Sequence, residues 1–165
     1  MSDGPSLIAL IPRLRRYARA LVGERAAADD LVQDTLERAW SKLHMYRRGT
    51  DLRAWLFTVM HNVHVNQVRA SRPTAVLEDD MPELAQRAVQ GDALIVRDLE
   101  RAVAALPAAQ REVLLLVALE DLSYDEAARV LGIPIGTVMS RLARAREKVR
   151  VMMQGKGGGK LQVVK

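Results

Sequence analysis

Residues 122–150, LSYDEAARVLGIPIGTVMSRLARAREKVR, constrain the fold more tightly than any other stretch of this chain. They read as two helices joined by a short turn. Ser123 is placed to cap the first helix, and Glu126, three residues on, completes a capping box with it. Ala127, Ala128, Val130 and Leu131 give that helix a small apolar face. Gly132 stands where a helix needs a left-handed stop, and Pro134 forbids continuation. The second helix starts near Ile135. Val138, Leu142, Ala145 and Val149 recur at i, i+4, i+7 and i+11, so they share one buried face. The opposite face carries Ser140, Arg144 and Glu147, flanked by Ala143 and Thr137. A helix anchored along one side and polar along the other suits the reading of base edges in a DNA major groove. A helical hairpin with a merely solvated basic face would share this periodicity. The turn chemistry, the short first helix and the arginine excess of the second coincide, and together they favour DNA binding.

Charge is distributed in blocks. The net charge is +5. Residues 1–75 hold twelve Lys/Arg against seven Asp/Glu, residues 76–100 two against seven, and residues 101–165 eleven against six. Two basic blocks therefore flank an acidic one, and basic blocks attract phosphates by releasing condensed counterions. The acidic block, beginning AVLEDDMPELAQ after Pro73, reads as a connector between two helical domains. The 165 residues contain no cysteine, which excludes disulfides and thiolate metal sites and suits a reducing cytosol. No apolar run reaches membrane-spanning length, and Pro12 and Arg13 cut short the apolar N-terminal stretch before any signal-peptide cleavage site. A cytoplasmic protein without a membrane segment of its own is expected.

The periodicity predicts an all-α fold. In the first half, Leu7, Leu10, Leu14, Tyr17, Ala18 and Leu21 form a stripe ended by Gly23, with Pro12 at a break or in a first turn. A second helix is expected from about Arg25 to Leu43, buried through Ala28, Val32, Leu36, Ala39 and Leu43. A third follows Gly49, capped by Thr50 or Asp51, and runs to about Ser71 with Leu52, Leu56, Val59 and Val63 inside. In the second half, helices are expected from Asp92 to Leu106 and from Ala108 to Leu119, ahead of the helix-turn-helix. The expected organisation is a three-helix domain over 5–72, an acidic linker over 73–91, a second domain over 92–152 and a disordered basic tail over 153–165. The tail contains the glycine-rich GKGGGKLQVVK.

Two further constellations stand out. Asp30, Asp34 and Glu37 fall at i, i+4 and i+7 of the second helix, with Gln33 beside them. This acidic stripe could dock on a basic helix, although spacing alone favours a solvated face. The second constellation is YRRGTDLRAWLFTVMHNVHVNQVRAS, residues 46–71, in which an aromatic residue, two arginines, a glycine loop and Trp55 precede a helix bearing Asn62, Asn66, Gln67 and Arg69. Aromatics beside arginine and amide side chains can stack on and hydrogen-bond unpaired bases. Trp55 could equally be core. His61 and His64 lie at i, i+3, but with neither cysteine nor an evident carboxylate partner they make a poor metal site.

DDLVQDTLERAW (29–40), GTDLRAWLFTVMHN (49–62) and the helix-turn-helix, in this order and spacing, resemble an extracytoplasmic-function sigma factor of bacterial RNA polymerase. The resemblance covers nearly the whole chain except its tail. The wording of GTDLRAWLFTVMHN and GTVMSRLARAR resembles the subgroup that runs general stress responses. The resemblance implies a non-enzymatic initiation subunit without cofactors. Its partners would be core RNA polymerase (β′ clamp helices and β flap), promoter DNA and an anti-sigma factor.

Asp30, Gln33, Asp34 and Glu37 fall at the positions that bind the β′ clamp helices, so on this resemblance the acidic stripe docks rather than being solvated. The −10 element would be melted and read by Tyr46, Arg47, Arg48, Thr50, Asp51, Trp55, His61, Asn62, Asn66 and Arg69, with Tyr46 and Asn62 near the flipped base. His61 replaces a common arginine, which removes or makes pH-sensitive any phosphate contact there. The −35 element would be read by Ser140 and Arg144, with Ala143 on the same face. Thr137, Arg141 and Arg146 would hold phosphates or brace the domain. Met139 replaces a common basic residue and favours an apolar contact with a thymine methyl. Glu78, Asp79 and Asp80 would imitate the charge of RNA in the polymerase cleft. One alternative is a sigma mimic that sequesters an anti-sigma factor, but such mimics carry a receiver domain, for which the chain leaves no room after residue 150. The other is a stand-alone helix-turn-helix regulator.

Overall fold

The computed structural model of the protein describes residues 7–47, 49–70 and 91–156. The regular elements among them are all helical. They are α1 (Ile11–Val22), α2 (Arg25–Ser41), a 3₁₀ turn (Leu43–Met45), α3 (Leu52–Ala70), α4 (Gly91–Ala104), α5 (Ala108–Leu114), a π-turn (Leu115–Leu119), α6 (Tyr124–Leu131) and α7 (Ile135–Lys156). α1 and α3 each pack on α2, and α4, α5 and α6 each pack on α7. These are the two helical domains expected from the periodicity. The acidic residues 78–80 lie outside the described residues, and Gly91, expected as the end of the linker, already belongs to α4.

Local chemistry sets the helix ends. Pro12 lies in the first turn of α1, where its missing N–H removes no intrahelical bond. Gly23 closes α1 in the left-handed region at φ 79°, its N–H donating to the Arg19 carbonyl at 2.9 Å. The Asp51 carboxylate accepts from the Arg53 N–H at 3.0 Å and so caps α3. The expected stripe is buried at Leu7, just ahead of α1, and at Leu14, Tyr17, Ala18 and Leu21 within it. α2 also buries Leu31 and Thr35, which the simple i, i+4 reading left out, whereas Leu36 and Leu43 are only half-buried. α3 buries Leu56, Phe57, Val59, Met60 and Val63, wider than one stripe, because α2 covers one side and α6 another. Tyr17 meets Phe57 edge to face at 5.0 Å, tying α1 to α3.

α7 differs from expectation at its end. It continues through Lys156, four residues into what reads as tail, and the half-buried Met152 and Met153 show why, since its packed face outlasts the glycine signal. The rest of the expected tail, 157–165, lies outside the described residues.

The two domains also pack on each other. α3 lies against α6, and α1 against both α4 and the π-turn. A single apolar cluster runs from Leu14 and Phe57 to Leu116, Ala127 and Leu142.

Candidate nucleic-acid interface

The helix-turn-helix forms as its residues dictate. Ser123 Oγ accepts from the Glu126 N–H at 3.0 Å, and Glu126 Oε1 accepts from the Ser123 N–H at 2.9 Å. Gly132 adopts φ 68°, its N–H reaching the Ala128 carbonyl at 2.8 Å. Val138, Leu142 and Ala145 are buried, and Val149 is half-buried. Along the rest of α7, Met139, Ser140, Ala143, Arg144 and Arg146 are exposed, with Thr137 and Arg141 half-buried at the edges. All seven residues proposed from sequence for the −35 element therefore lie on one helix, five of them open to solvent. Ser140 Oγ donates to the Thr137 carbonyl at 3.3 Å, which leaves the hydroxyl free to act as an acceptor towards the outside.

The 46–70 stretch is a loop folded back on its helix. Tyr46 Oη donates to the Thr50 carbonyl, and Thr50 Oγ1 donates to the Arg47 carbonyl at 2.7 Å. The Tyr46 ring lies against Trp55 at 5.4 Å, tilted by 49°. Trp55 is half-buried and packed on the core, so it braces the aromatic pair instead of being wholly core or wholly free. Asn62, Asn66 and Arg69 are exposed on α3, as are Arg47, Thr50 and Asp51 in the loop. Arg48 lies outside the described residues.

Asp30, Gln33, Asp34 and Glu37 are all exposed on α2. Asp34 is fixed there by Gln67, whose Nε2 donates to Oδ2 at 2.7 Å. A shallow cleft between α2 and α3, lined by Asp34, Glu37, Arg38, Ser41, Val63, Asn66 and Gln67, joins this acidic stripe to the amide-bearing face of α3.

Sequence reasoning missed a set of charges that holds the domains together. The π-turn, with Asp121 in the left-handed region at φ 60°, turns Glu120 inward until none of it is exposed. There its carboxylate accepts from Arg16 Nη2 at 3.1 and 3.3 Å and lies 3.6 Å from Arg13 Nε. Arg53 Nη1 donates to the Glu120 carbonyl at 3.1 Å, and Nη2 lies 3.7 Å from Glu126. Arg111 donates to the carbonyls of Leu21, Val103, Ala104 and Leu106 at 2.7–3.2 Å, a cation gathering the ends of α1 and α4. Burial pushes its guanidinium below the ordinary arginine value.

His61, expected to face DNA and without a visible carboxylate in sequence, hydrogen-bonds Glu112 through Nδ1. The neighbouring His64 is lowered from the ordinary imidazole value by burial. Burial, then Glu112 and Glu120, push the Tyr17 hydroxyl well up. The pairings of Arg16 with Glu120 and of His61 with Glu112 span 104 and 51 residues in sequence, and no local spacing signals them. Among the described residues no group of three or more His, Cys, Asp and Glu side chains could hold a metal ion. None of the described helices is long and apolar enough to cross a membrane.

Known proteins carry the same two parts in the same order. A family profile described as the sigma2 domain of PhyR matches residues 7–61, and one described as sigma-70, region 4, matches residues 97–149. The chain is 35% identical over 149 residues to the ECF RNA polymerase sigma factor EcfG of Rhodopseudomonas palustris, spanning 89% of this chain and 82% of that protein. The chain belongs to the ECF RNA polymerase sigma factors. A solved structure of the sigma factor RpoE of Bartonella quintana, in complex with the anti-sigma factor NepR, superposes with a TM-score of 0.80 at 34% identity, covering 93% of this chain and 98% of that one. The PhyRSL–NepR complex from Sphingomonas sp. Fr1 is also similar, with a TM-score of 0.66 at 25% identity over 93% of this chain and 90% of that one. In this ECF sigma factor, α6 and the part of α7 up to residue 149 fall within the region 4 match, and α1, α2 and residues 46–61 of the 46–70 stretch fall within the sigma2 match.

Proposed function

We propose that this ECF sigma factor is a cytoplasmic, dissociable initiation subunit that carries no catalytic residues, leaving nucleotide transfer to the polymerase. Its α2 stripe, Asp30, Gln33, Asp34 and Glu37, docks on the β′ clamp helices of core enzyme, and its C-terminal domain lies at the β flap. Residues 46–69 open and read the −10 element. Residues 137–146 read the −35 element, with Ser140 and Arg144 at the base edges and Thr137, Arg141 and Arg146 on phosphates. The likeness to EcfG and to a sigma factor bound by NepR supports a general-stress role and a small anti-sigma partner.

The observation that carries this reading is α7, with one face sunk in the core and the other exposed and cationic. Run-off transcription with purified core polymerase on a promoter library tests it. Discrete start sites sharing two spaced elements are expected, and no start site with core enzyme present refutes it.

A second reading, a mimic that captures an anti-sigma factor, is favoured by the match to the sigma2 domain of PhyR and the likeness to PhyRSL. Under that reading the chain relieves inhibition of another sigma factor and directs no transcription itself.

A further inference from the structure

The reading face of α7 is cationic along its flanks, but at its N-terminal end it is apolar. Ile135 and Met139, one turn apart, are 38% and 48% exposed, and Ala143 continues the line one turn further on. Gly136 sits beside them with nothing within 4 Å of where a Cβ would stand, so the backbone itself can approach a ligand closely. Two large apolar side chains side by side on an exposed helix face offer a small patch that a ligand gains by covering. Arg144, Arg146 and Arg150 are exposed further along the same helix, so the occupant is a polyanion with apolar features at its recognised edge. Duplex DNA fits that description, because the C5-methyl group of thymine is the one apolar group a base pair shows in the major groove. Ser140 stands next to Met139, and its proton is spent on the Thr137 carbonyl, so it offers an acceptor. An A·T pair presents an amino donor and a methyl group side by side.

We propose that Met139, with Ile135 behind it, is a specificity-determining residue that reads thymine methyl groups in the −35 element. The inference rests on α7 being the −35 reader and adds what it reads.

Replacing thymine by deoxyuridine removes the methyl group and leaves every hydrogen-bonding group in place. The full chain is assembled with core polymerase on a promoter that this holoenzyme selects from a library, and each thymine of the protected −35 region is replaced in turn. For the unaltered chain, at least one replacement is expected to weaken binding about fourfold, the factor that burying one methyl-sized group is worth. Met139→Ala is expected to lose that sensitivity and Met139→Leu to keep it. Met139 is exposed, so neither change disturbs the core. Indifference of the unaltered chain to every replacement overturns the inference, as does full methyl sensitivity in Met139→Ala. If no −35 region is selected at all, the reading of α7 falls along with it, whereas a selected but methyl-indifferent −35 region refutes this inference alone.

Discussion

The pair formed by Glu120 and Arg16 is lopsided, and the asymmetry predicts an ordering of variants. The Glu120 side chain is wholly buried, while those of Arg16 and Arg13 are 50% and 37% exposed. Glu120→Gln keeps the shape and one acceptor, and it leaves two arginines that can turn outward and rehydrate. What disappears is the charge-assisted part of the hydrogen bonds, discounted for the exposure of the arginines, at about 1–2 kcal/mol. Arg16→Ala does the opposite. It leaves a carboxylate in the core with only Arg13 at 3.6 Å, and breaking a buried pair from the side that can be rehydrated costs roughly 3–5 kcal/mol when no compensation remains. With Arg13 still present, about 2–4 kcal/mol is expected, and the full range applies to the Arg13→Ala/Arg16→Ala double variant.

Urea denaturation at neutral pH gives the ordering directly from midpoints at constant slope. The decisive measurement is the triple variant. Adding Glu120→Gln to the double arginine variant removes the stranded charge and is expected to restore part of the stability, a coupling of opposite sign to simple additivity. If Glu120→Gln costs as much as Arg16→Ala, or if the triple variant is less stable than the double, the carboxylate is not held as a desolvated charge and the reasoning fails.

Three further outcomes follow from the same geometry. His64 is held below the ordinary imidazole value, so the folded chain binds fewer protons than the unfolded one, and its contribution to stability falls away as the pH drops below about 6.5. His64→Gln is expected to flatten the loss between pH 7 and pH 5 in denaturation midpoints, and an unchanged pH profile refutes this. Arg144→Ala is expected to weaken promoter binding by about 1–3 kcal/mol and to relax selection at one −35 position, whereas uniform weakening across sequences with a shallower salt dependence would reassign Arg144 to a phosphate. Asp34→Arg is expected to abolish competition for core polymerase while leaving the far-ultraviolet circular dichroism unchanged, because Asp34 is exposed. Undiminished core binding would make the α2 stripe ordinary surface.

The C-terminal half was the more legible in sequence. Ser123, Glu126, Gly132 and Pro134 act within a few residues of themselves, so their chemistry determines the turn wherever the domain sits, and the buried stripe of α7 follows from its period. α2 and α3 were legible as helices but less so as surfaces. Leu31, Thr35, Phe57 and Met60 are buried because neighbours cover more than one side, and a single-stripe reading assumes one covered side. The capacity of Trp55 to serve both core and surface emerges only once Tyr46 is placed against it. Glu112, Glu120, Arg53 and Arg111 were invisible as a set, since each has a partner far away in sequence: His61, Arg16, the Glu120 carbonyl and the Leu21 carbonyl. The inward turn of Glu120 depends on a π-turn, and the apolar run LLLVAL disguises it as ordinary helix. α7 outlasts the domain boundary expected at 152 because Met152 and Met153 are half-buried ahead of the glycine run.

The apolar cluster that passes without interruption from one domain into the other has a consequence for how such a chain can live in a cell. If the two halves part to reach two separate promoter elements, the parting wets side chains that are dry in the folded protein. In open water that step runs uphill and leaves a sticky intermediate. The extended form is therefore expected to arise only on a surface that receives each half as it is released. Newly made copies are then expected to stay folded shut until such a surface is at hand.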